Sequence, residues 1–481
     1  MTRSLSFDSR RKRALHCRIG LIAAIVAIPG MVFAQNPQNP LIPEFSSAAT
    51  PAIAKKQQAH NPVEKKAVQP NVVIPVTPLG FAPPAAFYLG DRLVQVSLNF
   101  LDEDNLLFTF RVPGLIAREH TAPGQTPSEE RHIRAMTLSL PTGKVTAEAL
   151  WVLHDYGRYL WMLKDRKFLL RDRNMLQIGD ADLHLEPFLR FPGPVGVIQL
   201  DPEQRLMIAD TVEPAAAPEK QDPAKQNSEI AASSDPASQP STGSVIASGH
   251  FELDQEPAKH ASENLLRVLS LDTRKVMLFS RVDTAILLPI DGEGYYEALR
   301  GSGSNWMISY EYFQGASIPL TWIESTCNPA LDALSPGIVL ASACTPSGAR
   351  HLIAISRNDD KEHCRLWDVS LPPTKIWPLL AKSSDGLRIA RATLEVSHAI
   401  GPYSPLDNED IRGQSVQVYD LATGNVQLTV PASPILDGGG NFALSPSGKR
   451  FAVLNAGAIQ VFDLPPAPPF SSATNPDSAK R

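Results

Sequence analysis

Three cysteines lie beyond the first 34 residues of this 481-residue chain, Cys327, Cys344 and Cys364, and theirs is the most definite chemistry the sequence offers. In an oxidising compartment two of them would pair. Cys327 and Cys344 are the favoured pair, with Cys364 left as a thiol. They would close a loop of about 16 residues, for which the chain-entropy model gives about 3 kcal/mol. Cys344 with Cys364 is the competing pairing, because sequence does not fix connectivity. Zinc is disfavoured: there is no C-x-x-C, and the nearest histidine, His363, is adjacent to Cys364.

Other residues invite chemistry and read better as structure. His154-Asp155 could serve as an acid–base pair, yet it falls where equivalent turns carry plain Ser-Pro. Asp102-Glu103-Asp104 and Asp407-Asn408-Glu409-Asp410 could hold Ca²⁺, but neither has the ligand alternation and Gly of an EF-hand loop. Both read as solvated turns. The run GSGSNW at 301–306 lacks the Lys of a phosphate loop and reads as a turn before WMISYEYF. No G-x-S-x-G, H-E-x-x-H, Walker loop or G-x-G-x-x-G occurs. The sequence therefore assigns no catalytic, cofactor or metal residue.

The elements that would position these side chains recur along the chain. Aliphatic segments end in aromatic-plus-Asp: RLWDVS at 365–370, SVQVYDLATG at 415–424 and IQVFDL at 459–464, with weaker copies RVLSLDT at 267–273 and MTLSLPTG at 136–143. Between them lie pairs of short apolar segments joined by a polar turn. The clearest is FALSPSGKRFAVL at 442–454. Others are SLNFLDEDNLLFTF at 97–110, LWVLHDYGRYLWML at 150–163, VIQLDPEQRLMIA at 197–209, LLPIDGEGYYEAL at 287–299, LASACTPSGARHLIA at 340–354 and KSSDGLRIARA at 382–392. Gly tolerates positive φ, Pro fixes φ, and Asp and Ser bond nearby backbone, so the centres are turns. The flanks are short and rich in β-branched and aromatic residues, so they are strands.

The seven turns, near Glu103, Asp155, Pro202, Asp291, Pro346, Asp385 and Pro446, recur every ~40–60 residues once one insertion is set aside, a period that suits a four-stranded blade. The pattern predicts an all-β chain, a β-propeller of seven blades. A β-sandwich, which also spaces short strands regularly, is the alternative. Each hairpin is expected to supply the inner two strands of a blade and each aromatic-Asp segment the third. Trp367, Tyr419 and Phe462 are expected between blades, and Asp368, Asp420 and Asp463 are expected to cap turns. The final repeat has only three strands, so the segment at 87–97 is expected to supply its fourth and close the ring.

Over roughly residues 87–465 these motifs resemble the bacterial WD40-like and YVTN-type propeller repeats, most closely at 410–465 and least at 280–330. No Gly-His dipeptide opens each repeat here, as one does in strict WD40 repeats. The resemblance implies a rigid disc with a central channel, used for binding, and brings no common catalytic residue.

Outside the repeats, composition sets the organisation. Arg10 to Arg13 and Arg18 precede an apolar run, Ile19 to Ile28, and Val32-Phe33-Ala34, the layout of a cleaved signal peptide over 1–34. The run is shorter than the ~20 residues a span needs; an uncleaved anchor is the alternative. The segment holds six Lys or Arg and one Asp, so its removal takes the net charge from −5 to −10. That excess of acid argues against nucleic acid. The basic stretch Lys164 to Arg173 contains Asp165 and Asp172 and reads as a solvated strand and loop face. Residues 35–84, rich in Pro, Ala and Gln, read as a disordered linker, 211–250 as a disordered insertion within the propeller domain 85–465, and 466–481 as a tail.

The expected protein is periplasmic or secreted, monomeric, without a membrane span after cleavage, and binds an unknown protein or envelope glycan without turnover. The alternative is a propeller enzyme, a metal-dependent lactonase or hydrolase or a quinoprotein-like dehydrogenase, with ligands converging on the channel. The lining of that channel is what would discriminate the two.

Overall fold

Short strands that are apolar on both faces need cover on both faces, and here each sheet is sandwiched between two others. The computed structural model describes residues 68–83, 95–113, 130–154, 157–214, 262–282, 287–357, 364–376, 380–401, 405–436 and 440–468. The expected signal peptide, the insertion from 215 and the tail from 469 lie outside the described residues. The described strands form seven small antiparallel sheets in a ring, a seven-bladed β-propeller.

The first blade runs Ser97–Phe100, Asn105–Arg111, Arg131–Ser139 and Lys144–Leu153. The second runs Leu160–Met162, Phe168–Asp172, Met175–Gly179 and Leu185–Arg190. The third is Val195–Leu200, Leu206–Pro214, Ser262–Ser270 and Val276–Val282, and the fourth Ile290–Asp291, Gly294–Arg300, Asn305–Tyr312 and Ser317–Glu324. The fifth is Ala330–Ser335, Ile338–Cys344, Arg350–Ser356 and Arg365–Leu371. In the sixth, Leu380–Lys382 and the two-residue Lys375–Ile376 both pair with Arg388–Val396, followed by Ile411–Asp420 and Val426–Pro431. The seventh has Phe442–Leu444, Arg450–Asn455 and Ala458–Asp463 from the C-terminal side.

The seventh blade's fourth strand is Val72–Pro75, paired antiparallel with Ala458–Asp463. This corrects the sequence reading, which gave that role to 87–97 and placed 72–75 in the linker. The segment VVIP is β-branched enough to pair, but four residues vanish into the average of a Pro-rich stretch. Ile74 and Val76 are buried against Leu98, Phe108 and Ile459, which makes the strand part of the core.

Three further expectations are corrected. The apolar pair at 150–163 is no hairpin: it joins the outer strand of the first blade to the inner strand of the second. The pair at 340–354 forms the second and third strands of the fifth blade, so RLWDVS is that blade's outer strand. The stretch 164–173 is not a solvated face, because Phe168, Leu169 and Leu170 are fully buried at the second strand of the second blade. In each case two apolar runs flank a polar turn, and local pattern alone cannot tell a turn within a blade from a passage between blades. The strand Leu206–Pro214 also reaches past residue 211, with Thr211 buried, so the insertion begins later than the composition shift suggests.

Among the described residues there is one apolar cluster for each of the seven seams between blades. In the sixth blade's Arg388–Val396, Ile389 packs on the fifth blade while Ala390 and Ala392 pack on the seventh. This two-sided burial explains why the strands read as continuous apolar runs. The seam between the third and fourth blades has the smallest cluster, with Ile208, Leu266, Val268 and Ile290 buried. No described helix is long and apolar enough to cross a membrane.

Candidate functional site

The aromatic-Asp segments place their aromatics in the seams. Trp367 donates its indole N–H to Leu421 O across the seam at 2.7 Å, and its ring lies parallel to Tyr419 at 6.4 Å. Gly424, at φ 68°, leaves room for that indole; a Cβ there would stand 2.7 Å from the Trp367 ring. Phe462 packs against Phe451 between the sixth and seventh blades.

The carboxylates do not cap their own turns as the sequence reading expected. Each meets a basic group one strand inward instead. Asp420 pairs with Arg388 at 3.2 Å, directly across the ladder, and both are buried. Asp463 pairs with Arg450 at 3.3 Å in the same register. Asp368 meets His351 Nδ1 at 2.9 Å. The signal in the sequence was the arginine that follows each hairpin turn, in SDGLR and SGKR.

The acidic cluster at 102–104 has its oxygens committed to neighbouring blades. Glu103 accepts the Ser447 N–H at 2.8 Å, Asp104 pairs with Arg450 at 2.9 Å, and Asp102 pairs with Arg166 at 2.8 Å. The second cluster forms a 3-10 turn, Asn408–Asp410. His154 meets Asp172, with Nδ1 2.8 Å from Oδ2 and its own backbone N–H on Oδ1; Asp155 lies outside the described residues. The run GSGSNW turns between Gly294–Arg300 and Asn305–Tyr312.

Cys327 and Cys344 are joined in a disulfide with Cα atoms 5.5 Å apart, and Cys364 is a buried thiol. Cys344 ends the second strand of the fifth blade, one strand further out than the sequence reading placed it. One potential cation cluster escaped that reading: Asp180, Asp182 and His184 bring one ligand atom each within 4.8 Å of one another. Asp180 Oδ1 already accepts the backbone N–H groups of Asp182 and His184, so the loop has a structural use for it.

The charged groups of greatest interest lie where the inner strands meet. Lys382 ends the inner strand of the sixth blade and donates to Ala333 O in the fifth at 2.8 Å. It is solvent-exposed, yet desolvation lowers its pKa to about 8, partly offset by Asp332, Asp201 and Asp291. Asp332 shows the same contrast: its side chain keeps 42 % of its accessible surface, yet desolvation raises its pKa. Each group keeps accessible surface while protein atoms occupy most of its remaining surroundings. Arg391, buried beside them, donates to Ser342 Oγ at 2.9 Å and lies 3.8 Å from Asp332.

Of the other acids that act on Lys382, Asp291 is engaged, while Asp201 uses one oxygen and leaves Oδ2 buried without a hydrogen bond among the described residues. Asp291 accepts the Tyr296 hydroxyl at 2.7 Å and the Gly337 N–H at 2.8 Å, with Arg357 3.6 Å away. Tyr296 is thereby held neutral, its pKa raised by burial and by the Asp291 charge. Asp201 Oδ1 accepts the N–H groups of Arg205 and Leu206, and burial raises its pKa. Two surface depressions add to the inventory. One of about 310 Å³ lies along Gln414, Pro431 and Ser433, and one of about 450 Å³ along Arg300, Trp306 and Asn328.

No protein-family model and no curated protein sequence matches this chain. Solved structures align with it at low identity. A chain from the crystal structure of the Mitotic Checkpoint Complex is 11% identical, covers 87% of this chain and 99% of its own length, with a TM-score of 0.39. An acylaminoacyl peptidase from Pyrococcus horikoshii is 9% identical over 79% of this chain and 54% of its own, with a TM-score of 0.42. Hydrazine synthase from Kuenenia stuttgartiensis is 9% identical over 83% and 98%, with a TM-score of 0.38. This chain thus spans about half of the peptidase. These scores carry no argument about function, and the fold assignment rests on the seven sheets themselves.

Proposed function

We propose that this chain is an exported bacterial propeller of the WD40-like or YVTN type, acting in the periplasm or outside the cell, that binds a protein or envelope ligand at its channel without chemical turnover. One observation carries the reading. Asp291 and one oxygen of Asp201 are spent on neighbouring groups, while the Lys382 ammonium, with three hydrogens to donate, makes one hydrogen bond among the described residues, to Ala333 O. That arrangement offers a fixed donor to a ligand. The Cys327–Cys344 bridge and the signal-like residues 1–34 support export.

Protein starting at Gln35 is expected to retain a partner from envelope extract, and Lys382→Glu is expected to release it. Mass spectrometry of the native protein should find Gln35 as its first residue; an intact Met1 form in the cytosol would refute export. Hydrolase and dye-linked dehydrogenase assays with Ca²⁺ or a quinone cofactor test the enzyme alternative. Reproducible turnover that is lost in Asp332→Asn would replace the binding reading.

A further inference from the structure

The disulfide of the fifth blade has a cation beside it. Arg350 pairs with Cys344 directly across the ladder, and its Nη1 lies 3.8 Å from Cys344 Sγ. Among the described residues that sulfur is the guanidinium's one hydrogen-bonding partner, and no carboxylate forms an ion pair with it. Burial lowers the Arg350 pKa, and no acid offsets the shift as acids do for Lys382 and Arg391. A charge held partly out of water without a counter-charge is costly. A thiolate at Cys344 would supply that counter-charge. A neighbouring cation lowers the pKa of a thiol, and a thiol of low pKa is the better leaving group in disulfide exchange.

The two sulfurs are not equivalent. Cys344, at the end of its strand, is 4% exposed, whereas Cys327 lies in the connection from the fourth blade and is half-buried. Hydrogen bonds that do not involve sulfur tie this connection to the strand. Ser325 Oγ accepts the Cys344 N–H at 3.0 Å and donates to Cys327 O at 2.7 Å, and the Thr326 N–H donates to Cys344 O at 2.9 Å. These contacts keep the two cysteines together after the S–S bond opens, so that it can close again. Ser325, Thr326 and Asn328, on both sides of Cys327, line the depression of about 450 Å³. That depression gives an incoming thiol room beside Cys327.

We propose that Cys327–Cys344 is a redox-active disulfide, a site of reversible exchange with an external thiol, in which Cys327 is the sulfur attacked, Cys344 the leaving thiolate and Arg350 the cation that stabilises it. The site is independent of the reading of the channel as a binding site. In the first step the external thiolate attacks Cys327 Sγ. Its electron pair forms the mixed disulfide, and the Cys327–Cys344 bond breaks with its pair on Cys344 Sγ. A second external thiolate then attacks the external sulfur of the mixed disulfide and releases Cys327 as a thiolate, which takes up a proton. Two external thiols are oxidised to their disulfide and the protein disulfide is reduced by two electrons. Closure is the same sequence in reverse.

The test equilibrates the full chain with reduced and oxidised glutathione at pH 8, quenches by alkylation and maps Cys327 and Cys344 apart from Cys17 and Cys364. Oxidised and reduced protein should reach the same partly reduced equilibrium, with the fold retained by circular dichroism. In Cys344→Ser, glutathione should remain attached at Cys327; in Cys327→Ser, Cys344 should take up little. In the reduced chain, the pH profile of alkylation should place the Cys344 thiol about one unit below the ordinary value of about 8.5. Arg350→Gln should return it to that value, which at pH 8 moves the equilibrium about threefold toward the disulfide. Arg350→Lys retains the charge and should retain the low value, and it serves as the probe if Arg350→Gln does not fold. A disulfide that resists glutathione until the chain unfolds overturns the assignment. So does glutathione attached preferentially at Cys344, a Cys344 thiol at the ordinary value in the folded reduced chain, or an equilibrium unchanged in folded Arg350→Gln.

Discussion

Arg388 and Asp420 show how this molecule uses single residues. Both lie in the seam between the sixth and seventh blades, and the guanidinium also donates to Gly448 O at 2.9 Å and to Pro465 O. Removing one partner of a buried pair strands the other charge, which typically costs about 3–5 kcal/mol. Arg388→Ala should therefore lower stability by about that much in urea unfolding, and Arg388→Met with Asp420→Leu should lose less. An equal or larger loss in the double variant would show that the pair is worth more than its desolvation. Lys382 gives a second test. Its folded pKa of about 8 lies below the ordinary 10.5, so between these values the unfolded chain binds more protons than the folded one. Stability contributed by this residue therefore rises as pH climbs from about 8 toward 10. Above pH 10 the raised pKa of Tyr419, about 12, acts in the opposite sense, because the unfolded phenol ionises first. Urea midpoints at pH 7.5 and 9.5 should show the gain in the wild type and a smaller one in Lys382→Met. Neither residue stood out in the sequence as a site, since an arginine after a turn and a lysine before one are common. Their significance comes from residues 32 and 50 positions away that the fold brings beside them, Asp420 and Asp332.

At the scale of elements, the sequence displays what is local and conceals what is shared. Hairpins such as 442–454 are legible because turn chemistry and apolar flanks lie within a dozen residues. The runs at 150–163 and 340–354 were misplaced because blade membership depends on pairing partners elsewhere. Composition also blurs edges. The strand Leu206–Pro214 pairs through to Ser262, so the low-complexity insertion leaves from the end of a long hairpin in the third blade. Replacing 215–261 with a short Gly-containing turn should leave the melting temperature within about 5 °C of the wild type, since loop-closure entropy depends only weakly on length. Deleting from 211 instead removes the buried Thr211 and four ladder positions, Thr211 to Pro214, and should destabilise clearly. If the shorter deletion also melts more than about 5 °C lower, residues 215–261 contribute packing that composition does not reveal.

At the scale of the whole molecule, stability depends on joining the two ends of the chain. The seventh blade takes three strands from residues 442–463 and its fourth from Val72–Pro75, with Asn71 accepting the Asp463 N–H through its side-chain oxygen at 2.8 Å. The first blade seals the same seam from the other side: the Leu98 N–H donates to Gly440 O at 2.7 Å, and Arg450 reaches Glu103 O at 2.7 Å. A ring closed this way leaves the Ala458–Asp463 edge covered, and an uncovered edge is a template for aggregation. Two truncations separate the closing strand from the sequence around it. A chain that begins at Val68 retains the strand; one that begins at Ala85 loses it together with buried Ile74, Val76 and Phe81. Burial of a large apolar side chain contributes about 1.5–3 kcal/mol, so the shorter chain should be less stable by roughly 4 kcal/mol or more and should associate through its open edge. Light scattering and denaturant unfolding of the two chains side by side would measure both effects. Equal stability and a monomeric short chain would mean that the ring holds without this strand, with the Glu103, Asp104 and Arg450 contacts sufficient to close it.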